Sequence, residues 1–394
     1  MASPDRLSIA LLAHSVNPRG GVVHVLELGA ALRARGHRVT IVAPAAAGEA
    51  LFRPTRCDVE LAPLSPGAPG VDLVGRVRRR IDALGTTLAA LLRRRPFDVL
   101  HAHDGIGASA LADLAQAGAI RGYWRTVHHL DRFDDDRLQA WEMRSIRAAA
   151  RVLCVSACWA ERLRAEHGIA SERVENGVDL ERFGPDLAVD DAATAQRHGI
   201  AWGAPLVLAV GGIERRKNSC RLLQGFAALR RQWPAARLVI AGGASLLDHD
   251  DEVAAFRAEA AASHLAIGPG CPIVVTGPLS DADLPALYRA ADVVALPSLV
   301  EGFGLVALEG LASGAPVVVS RRPPFTEHFD VADERVFWAE PLQPASIASA
   351  LDLAIRSGRT SEVPEVCRRF SWSASAARHE ALYRAARIDC AEPA

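Results

Sequence analysis

Glu301 opens the segment EGFGLVALE, the stretch of this chain whose residue types and spacing best suit chemistry. The hydrophobic run ADVVALPS before it is typical of a buried strand, which places Glu301 at the strand's carboxyl end. In α/β sheets ligands bind at that end. Gly302 and Gly304 flank Phe303 and let the backbone bend sharply and approach a bound molecule.

A helix is predicted to begin at about Leu305 and to stop at Gly314. The free N–H groups at a helix start bind anions such as phosphate. Glu309 follows inside this apolar helix, where a carboxylate is costly unless it is paired or bound to a ligand. The segment therefore predicts a nucleotide-sugar site, with a buried strand-loop-helix bearing surface glutamates as the alternative.

A second loop, VGGIERRKN, carries Arg216 and Lys217 after another predicted strand. Cations beside a helix start would stabilise a diphosphate leaving group, although a surface turn is the alternative. The loop GPLSD contains Leu279, which we assign to the same donor-binding set. Asp281 and Asp283 spell D-x-D after it and are interpreted as helix-capping acids rather than metal ligands.

The first half of the chain offers weaker signals. Gly20 and Gly21 stand where a loop meets a helix, and would let backbone amides approach a ligand or simply form a tight turn. In VLHAHD, His101 and His103 should face the same side of a strand; metal binding is conceivable, but no third ligand with recognisable spacing accompanies them. We therefore predict that His103 and Asp104 line a cleft.

The segment WRTVHHLD reads as another short strand that ends in polar residues, and one of its histidines is expected at the cleft. The pattern of strand, glycine-containing loop, helix and strand occurs twice along the chain. The sequence thus predicts an α/β fold with two Rossmann-like domains facing a cleft. We place the first domain at 1–185 and the second at 186–370.

Composition excludes several other classes of protein. A net charge of −1 over 394 residues argues against a nucleic-acid binder. Two arginine-rich runs, 76–80 and 93–95, are interpreted as solvated helix faces, with an anionic acceptor or peripheral membrane contact as the alternative. Seven scattered cysteines without a C-x-x-C pair, and an N-terminal apolar run too short for a bilayer, favour a cytoplasmic protein. Association with the inner face of a membrane is left open.

Taken together, these segments resemble the family-4 retaining glycosyltransferases of the GT-B fold. The most specific match is the E-x7-E segment with GLASGAPVV behind it; NPRGGVVH, TVHHLD, VENGVDLERF and the closing FSW helix support it. The NPRGGVVH and RTVHHLD segments are similar to those of a bacterial subgroup. The resemblance implies that the final segment, 371–394, crosses back onto the first domain.

The resemblance also implies residue roles. Glu301 would contact the donor-sugar hydroxyls, Glu309 the ribose hydroxyls, and Lys217 the diphosphate, while His128 would contact the donor sugar near C6. The donor-binding set further contains the Gly20-Gly21 loop, Arg216 and the backbone of Gly302, Phe303, Gly304 and Leu305. Arg125 joins His103 and Asp104 as an acceptor-side candidate. One position departs from the family pattern, since Gly212 stands where an arginine is usual, and Arg216 is the candidate replacement.

The implied reaction moves a hexose from a nucleoside diphosphate sugar to an unidentified acceptor, with retention at the anomeric carbon. The acceptor class (small molecule, lipid-linked or polysaccharide) stays open. Neither a metal nor a cofactor is expected, because cations and helix amides can carry the diphosphate charge. The alternatives are a nucleotide-sugar epimerase of the same shape and a non-catalytic nucleotide-sugar-binding protein.

Overall fold

The computed structural model describes residues 6–65, 70–201, 203–243 and 249–386. The chain forms two compact units. The first contains Met1–Gly177 together with Trp372–Ala394, and the second contains Val178–Ser371. The closing helix, α14 (Trp372–Ala385), packs on the helix that opens the first unit, as the resemblance implies. Of the predicted crossover segment 371–394, residues 387–394 lie outside the described part of the chain.

The first unit is an α/β sheet with helices on its faces. Its strands are β1 (Ser8–Leu12), β2 (Arg38–Ala46), β3 (Asp58–Leu64), β4 (Val99–Ala102), β5 (Trp124–Val127), β6 (Arg151–Cys154) and β7 (Glu172–Arg173). Its other helices are α1 (Gly20–Ala34), α2 (Leu73–Arg94), α3 (Gly105–Gln116), α4 (Asp136–Arg147) and α5 (Ala157–His167).

All seven strands of this sheet are parallel, in the order β3-β2-β1-β4-β5-β6-β7. The chain builds outward from β1 in one direction and then from β4 in the other. This reversal leaves a crevice at the carboxyl ends of β1 and β4, where doubly wound sheets bind ligands. The residues that follow these two strands are therefore the ones positioned for binding.

The second unit repeats the plan. Its strands are β8 (Leu206–Val210), β9 (Arg237–Ala241), β10 (Ile273–Gly277), β11 (Val293–Leu296), β12 (Val317–Ser320) and β13 (Val336–Ala339). Its helices are α6 (Asp191–Arg197), α7 (Ser219–Leu229), α8 (Asp250–Ala262), α9 (Leu284–Ala290), α10 (Leu305–Ala312), α11 (Phe325–His328), α12 (Pro344–Ser357) and α13 (Glu365–Arg369), with a 3₁₀ turn at Arg215–Lys217. The strand order is β10-β9-β8-β11-β12-β13, all parallel, so its crevice lies between β8 and β11.

Continuous hydrophobic strands explain the parallel sheets. Ile9 to Leu12 in β1 and Val317 to Val319 in β12 are fully buried, because helices cover both faces of each sheet. Two doubly wound parallel sheets confirm the predicted α/β class with two Rossmann-like units. Among the described residues, no helix is both long and apolar enough to cross a membrane.

The capping interpretation of the D-x-D pair is wrong. Asp283 precedes α9 but makes no side-chain cap; its carboxylate instead contacts Arg197 at 3.0 Å and His198 at 3.1 Å. Asp281 pairs with Arg182 at 2.7 Å. Charge-assisted hydrogen bonds are stronger than neutral ones. The two carboxylates therefore pair with arginine and histidine side chains from distant segments.

Candidate active site

The second unit's crevice holds a buried ion pair between Lys217 and Glu301. The lysine follows β8 and the glutamate follows β11, so the strand order brings together two residues 84 positions apart. Lys217 Nζ donates to Glu301 Oε2 at 2.7 Å, and the two side chains are only 15% and 13% exposed. Ser298 Oγ also donates to Glu301, at 3.3 Å. Two of the residues predicted from separate motifs therefore meet in one site.

Glu301 is ionised despite its burial. Burial by itself would raise the pKa of this carboxyl, but the positive charges of Lys217 and Arg216 and the Lys217 hydrogen bond lower it to about 2. The Gly302 amide adds a hydrogen bond to Oε1 at 3.3 Å. At neutral pH the group is therefore a fixed hydrogen-bond acceptor, suited to hydroxyl donors.

Arg216 is shared between two carboxylates. Its Nε lies 2.9 Å from Oε2 of the buried Glu214, while its Nη1 lies 3.8 Å from Oε1 of Glu301. Its backbone carbonyl accepts from the Leu299 amide at 2.8 Å, which ties the two loops together. The candidate replacement for the family arginine is thus in the cluster, with Glu214 as its nearest partner.

Close packing explains why glycine stands at position 212. A Cβ atom added there would lie 2.8 Å from the backbone oxygen of Gly243, closer than side chains tolerate. At the preceding Gly211, whose φ is +130°, an added Cβ would lie 3.3 Å from Cε of Lys217. The loop therefore leaves room for the Lys217 stem and none for an arginine at position 212 unless the loop shifts.

Asn218 is a structural residue that the sequence analysis did not single out. It adopts a left-handed backbone conformation with φ of 61° and is 2% exposed. Its Nδ2 donates to the carbonyls of Pro297 at 2.9 Å and Pro341 at 2.6 Å. These bonds hold the cation-bearing loop against the strand end that carries Glu301.

Helix α10 begins as predicted at Leu305, after Gly304 in a left-handed conformation with φ of +95°. A Cβ at Gly304 would lie 2.5 Å from the Phe325 ring, so only glycine fits. Phe303 is buried, with its ring 4.3 Å from that of His328. Within the described residues the amides of Phe303, Gly304 and Leu305 make no hydrogen bond, and such amides at a helix start suit an anion.

Glu309 is held by a partner that the sequence did not reveal. It is 9% exposed, and Tyr288 Oη, from α9, donates to its Oε2 at 2.5 Å. Burial and the Glu309 charge raise the pKa of Tyr288 well above its usual value, so the hydroxyl remains a donor. The carboxylate therefore has a fixed orientation.

Leu279 is half-buried in the loop after β10, at the edge of the sheet. An added Cβ at Gly243 would lie 2.6 Å from Pro278 Cγ, so this loop adjoins the glycines beside the cluster. No described contact joins Leu279 itself to Glu301. Its donor-binding role stays a prediction.

The first unit's crevice gathers histidines. His103 follows β4, His128 follows β5, and Gly20 and Gly21 start α1 after the loop from β1. His101 and His103 do face the same side, with ring centroids 4.2 Å apart. An added Cβ at Gly20 or Gly21 would meet nothing within 4 Å, so their surroundings are open.

Asp104 and Arg125 are engaged within the first unit. Asp104 caps α3 by accepting from the Gly107 amide at 2.7 Å. Arg125 is 2% exposed, and its Nη2 donates to Glu142 Oε1 at 3.2 Å. The structure thus gives both residues a structural contact, and their predicted acceptor contacts stay predictions.

Two family models match this chain. The model described as "Glycosyltransferase Family 4" matches residues 18–182, and the model described as "Glycosyl transferases group 1" matches residues 190–371. The first match covers the strands of the first sheet except β1, and the second match covers all the strands of the second sheet.

Curated relatives point the same way. A D-inositol 3-phosphate glycosyltransferase of Catenulispora acidiphila is 30% identical over 323 residues, covering 76% of this chain and 74% of that protein. A D-inositol 3-phosphate glycosyltransferase of Salinispora arenicola is 40% identical over 158 residues, covering 38% of this chain and 34% of that protein. The aligned part thus spans about a third of the Salinispora protein's length.

Among solved structures, Anabaena HepE in complex with UDP-glucose superposes with a TM-score of 0.74 at 18% identity, covering 97% of this chain and 100% of that one. At this identity the likeness shows the fold. Together with the family models and the Catenulispora relative, it places this chain among the family-4 glycosyltransferases, with their GT-B fold.

Proposed function

We propose that this chain transfers a hexose from a nucleoside diphosphate sugar to an acceptor, with retention of the anomeric configuration. The observation that carries the proposal is the buried, ionised Glu301, held by Lys217 and Arg216 directly before the start of α10. A carboxylate, two cations and free helix amides at one strand end match the hydroxyls and phosphates of a nucleotide sugar.

In this proposal Glu301 accepts hydrogen bonds from hydroxyls of the donor sugar. Its low pKa keeps it a carboxylate throughout the neutral range. Lys217 then faces two anions, Glu301 and the donor diphosphate. The existing ion pair holds the ammonium group in place before the donor arrives, so little reorganisation is needed as charge develops on the leaving group.

The rest of the donor lies along α10. Amides of Phe303, Gly304 and Leu305 receive diphosphate oxygens, and the helix dipole favours their charge. Glu309, oriented by Tyr288, accepts from the ribose hydroxyls. Both sugars of the donor are thus recognised by carboxylates on one strand-loop-helix segment.

The chemical step breaks the bond between the anomeric carbon and the phosphate oxygen. A bond from an acceptor oxygen forms on the same face, and the acceptor proton passes to an oxygen of the leaving phosphate. No protein nucleophile is required. The cations and helix amides supply the charge stabilisation for the diphosphate, and the proposal includes no metal at that position.

Several roles rest on the family resemblance alone: those of Gly20, Gly21 and His128 toward the donor, and of His103, Asp104 and Arg125 toward the acceptor. The relatives suggest where to begin. HepE is solved with UDP-glucose, and the curated relatives are named for an inositol phosphate. UDP-hexoses and phosphorylated cyclitols are therefore the first donors and acceptors to test.

The test starts with thermal shifts of the purified chain against a panel of nucleotide sugars, because a bound donor raises the melting temperature. Release of nucleoside diphosphate is then measured with and without each acceptor, and the product anomer is assigned by NMR. Glu301→Gln should lower kcat/KM at least about 100-fold. Glu340→Gln, a half-exposed residue of the same unit, is the matched control and should leave kcat/KM unchanged.

Each other outcome has a distinct meaning. Conversion of the donor to its epimer without an acceptor would identify an epimerase. Donor binding without turnover against any acceptor would identify a binding protein. Wild-type turnover by a folded Glu301→Gln variant would overturn the role of Glu301, and an inverted product would overturn retention.

A further inference from the structure

Three imidazoles converge in the first unit's crevice. His24 comes from α1, His103 from the end of β4 and His128 from the end of β5, and one ring nitrogen of each lies within 4.8 Å of the other two. The ring centroids of His24 lie 4.7 Å from His103 and 4.6 Å from His128. Their sequence spacing, 79 and 25 residues, shows no metal motif; the strand order creates the cluster.

The nitrogens that face one another lack hydrogen-bond partners. Nε2 of His24, both ring nitrogens of His103 and Nε2 of His128 are buried without a partner among the described residues. His24 and His103 are 0% and 3% exposed. Buried polar atoms are nearly always satisfied, so unpartnered nitrogens gathered in one group of imidazoles favour a ligand-binding role.

Asn176 fixes the ring state of His24. Its Oδ1 lies 2.9 Å from Nδ1 of His24, and because an amide oxygen can only accept, Nδ1 carries the proton. Nε2, which has no partner among the described residues, is then the nitrogen with a lone pair available to a ligand. An outer hydrogen bond that sets the tautomer and orientation of a histidine is a regular feature of metal sites.

Burial also suits these rings to a metal. A buried environment disfavours the charged form of histidine, and neutral imidazole is the form that binds a metal ion.

Two nearby histidines are not part of the ligand set. Both nitrogens of His101 are engaged, with Tyr383 Oη at 2.6 Å and Thr126 Oγ1 at 2.8 Å. Nδ1 of His379 is bonded to the Ser375 carbonyl; its Nε2 has no described partner, but its ring lies 6.2 Å from that of His24 and outside the group of nitrogens within 4.8 Å of one another. They surround the cluster formed by His24, His103 and His128.

We propose that His24, His103 and His128 bind one divalent transition-metal ion that prefers imidazole ligands, such as Zn²⁺. The set contains no carboxylate, so Mg²⁺, Ca²⁺ and Mn²⁺ are disfavoured. Zinc–nitrogen bonds of about 2.0–2.1 Å place tetrahedral nitrogens about 3.4 Å apart, so the rings must approach by about 1.4 Å at most. Three protein ligands leave a fourth position for water.

Two of the three proposed ligands, His103 and His128, are also the residues for which the family resemblance implies acceptor and donor contacts, but the metal site makes a separate claim from the transfer itself. It lies in the first unit, and its ligands differ in kind from the cations and amides proposed for the diphosphate. Metal binding can therefore be measured without donor or acceptor, and its failure would leave the proposed transfer untouched.

The experiment uses the full chain without a histidine tag. Co²⁺ titration followed by visible absorbance, and Zn²⁺ competition against a chromophoric chelator, should show one equivalent bound. His24→Gln and His103→Gln should each weaken binding at least about tenfold, and Asn176→Ala about tenfold, since it only orients His24. His129→Gln is the matched control, because this neighbour of His128 contacts Asp131 and lies outside the set.

Binding that is absent in the wild type, or equal in wild type and both ligand variants, would overturn the site. Circular dichroism checks that the variants fold. Should either variant fail to fold, X-ray absorption of the wild-type Co²⁺ complex decides: three imidazole ligands support the site, and an oxygen-dominated shell overturns it.

Discussion

Lys217 Nζ lies 2.7 Å from Glu301 Oε2, in a crevice where both side chains are largely buried. The two residues come from the loops after β8 and β11, the neighbouring strands at which the strand order of the second sheet reverses. A buried charge without its partner is costly, so each residue needs the other before any donor binds.

The first prediction concerns coupling within this pair. Glu301→Gln and Lys217→Met should each lower the free energy of unfolding by about 1–3 kcal/mol, because each leaves a buried charge without its main partner. The double variant should lose less than the sum, with a coupling energy of about 0.5–3 kcal/mol in urea unfolding.

The exposed pair Arg356–Asp352, at 2.9 Å on α12, is the matched control. Its coupling should be only about 0.3–0.5 kcal/mol, as for other i,i+4 pairs. Additive losses at Lys217 and Glu301 would contradict the described contact.

The second prediction concerns pH. The pKa of Glu301 falls from 4.5 to about 2 on folding, so the folded state favours the ionised form. The stabilisation is complete above the unfolded pKa and is lost as the pH falls from about 4.5 toward 2. The unfolding free-energy difference between wild type and Glu301→Gln should therefore shrink between pH 5 and pH 3. A constant difference across this range would contradict the lowered pKa.

The third prediction concerns Gly212. An arginine there matches the family pattern, yet the Gly243 carbonyl lies 2.8 Å from the added Cβ position. Gly212→Arg and Gly212→Ala should both destabilise the chain, by about 1–3 kcal/mol, because the clash begins at Cβ. Gly85→Ala, with nothing within 4 Å on α2, is the control and should be neutral or stabilising by up to about 1 kcal/mol. Higher activity in a stable Gly212→Arg variant would contradict the steric explanation.

The fourth prediction concerns Tyr288. Tyr288→Phe keeps the ring against Phe183, 5.5 Å away, but removes the donor to Glu309. Donor KM should rise at least about tenfold, since one hydrogen bond to a charged group is worth about 1.5–3 kcal/mol. Steady-state kinetics with the donor found active would measure this.

Tyr123→Phe is its control. The Tyr123 hydroxyl donates to the Ser145 carbonyl at 2.7 Å in the first unit, so its loss should cost stability but leave donor KM unchanged. Equal KM values for Tyr288→Phe and wild type would show that Tyr288 does not orient Glu309 for the donor.

Sequence reasoning reached the second unit's site because its signals are local. Glu301, the glycines and α10 are contiguous, and the strand patterns implied where Lys217 would lie. Tyr288 could not be found this way, because nothing in its local sequence distinguishes it from a core residue of a helix. Its contact with Glu309 depends on the packing of α9 beside α10. The role of a side chain could be predicted from sequence where its motif is continuous. It could not be predicted where the partner of the side chain comes from another helix or strand.

The first unit shows the same limit more strongly. His24 occupies a buried position of an apolar helix, and only the order of β1, β4 and β5 places it beside His103 and His128. The D-x-D acids were misread because their cationic partners, Arg182 and Arg197, lie far away in sequence.

The return of the chain at Trp372 makes the second unit an insertion. The chain leaves the first unit after Gly177 and re-enters it at Trp372, and the Val178 amide donates to the Phe370 carbonyl at 3.0 Å, so the two crossing points lie side by side. Residues 178–371 therefore form one contiguous fragment with adjacent ends. Domains with adjacent ends tolerate insertion into another chain. Residues 1–177 alone would lack α14, which buries His379 and Tyr383 in the first unit, so we expect that unit to be stable only when its two pieces are joined.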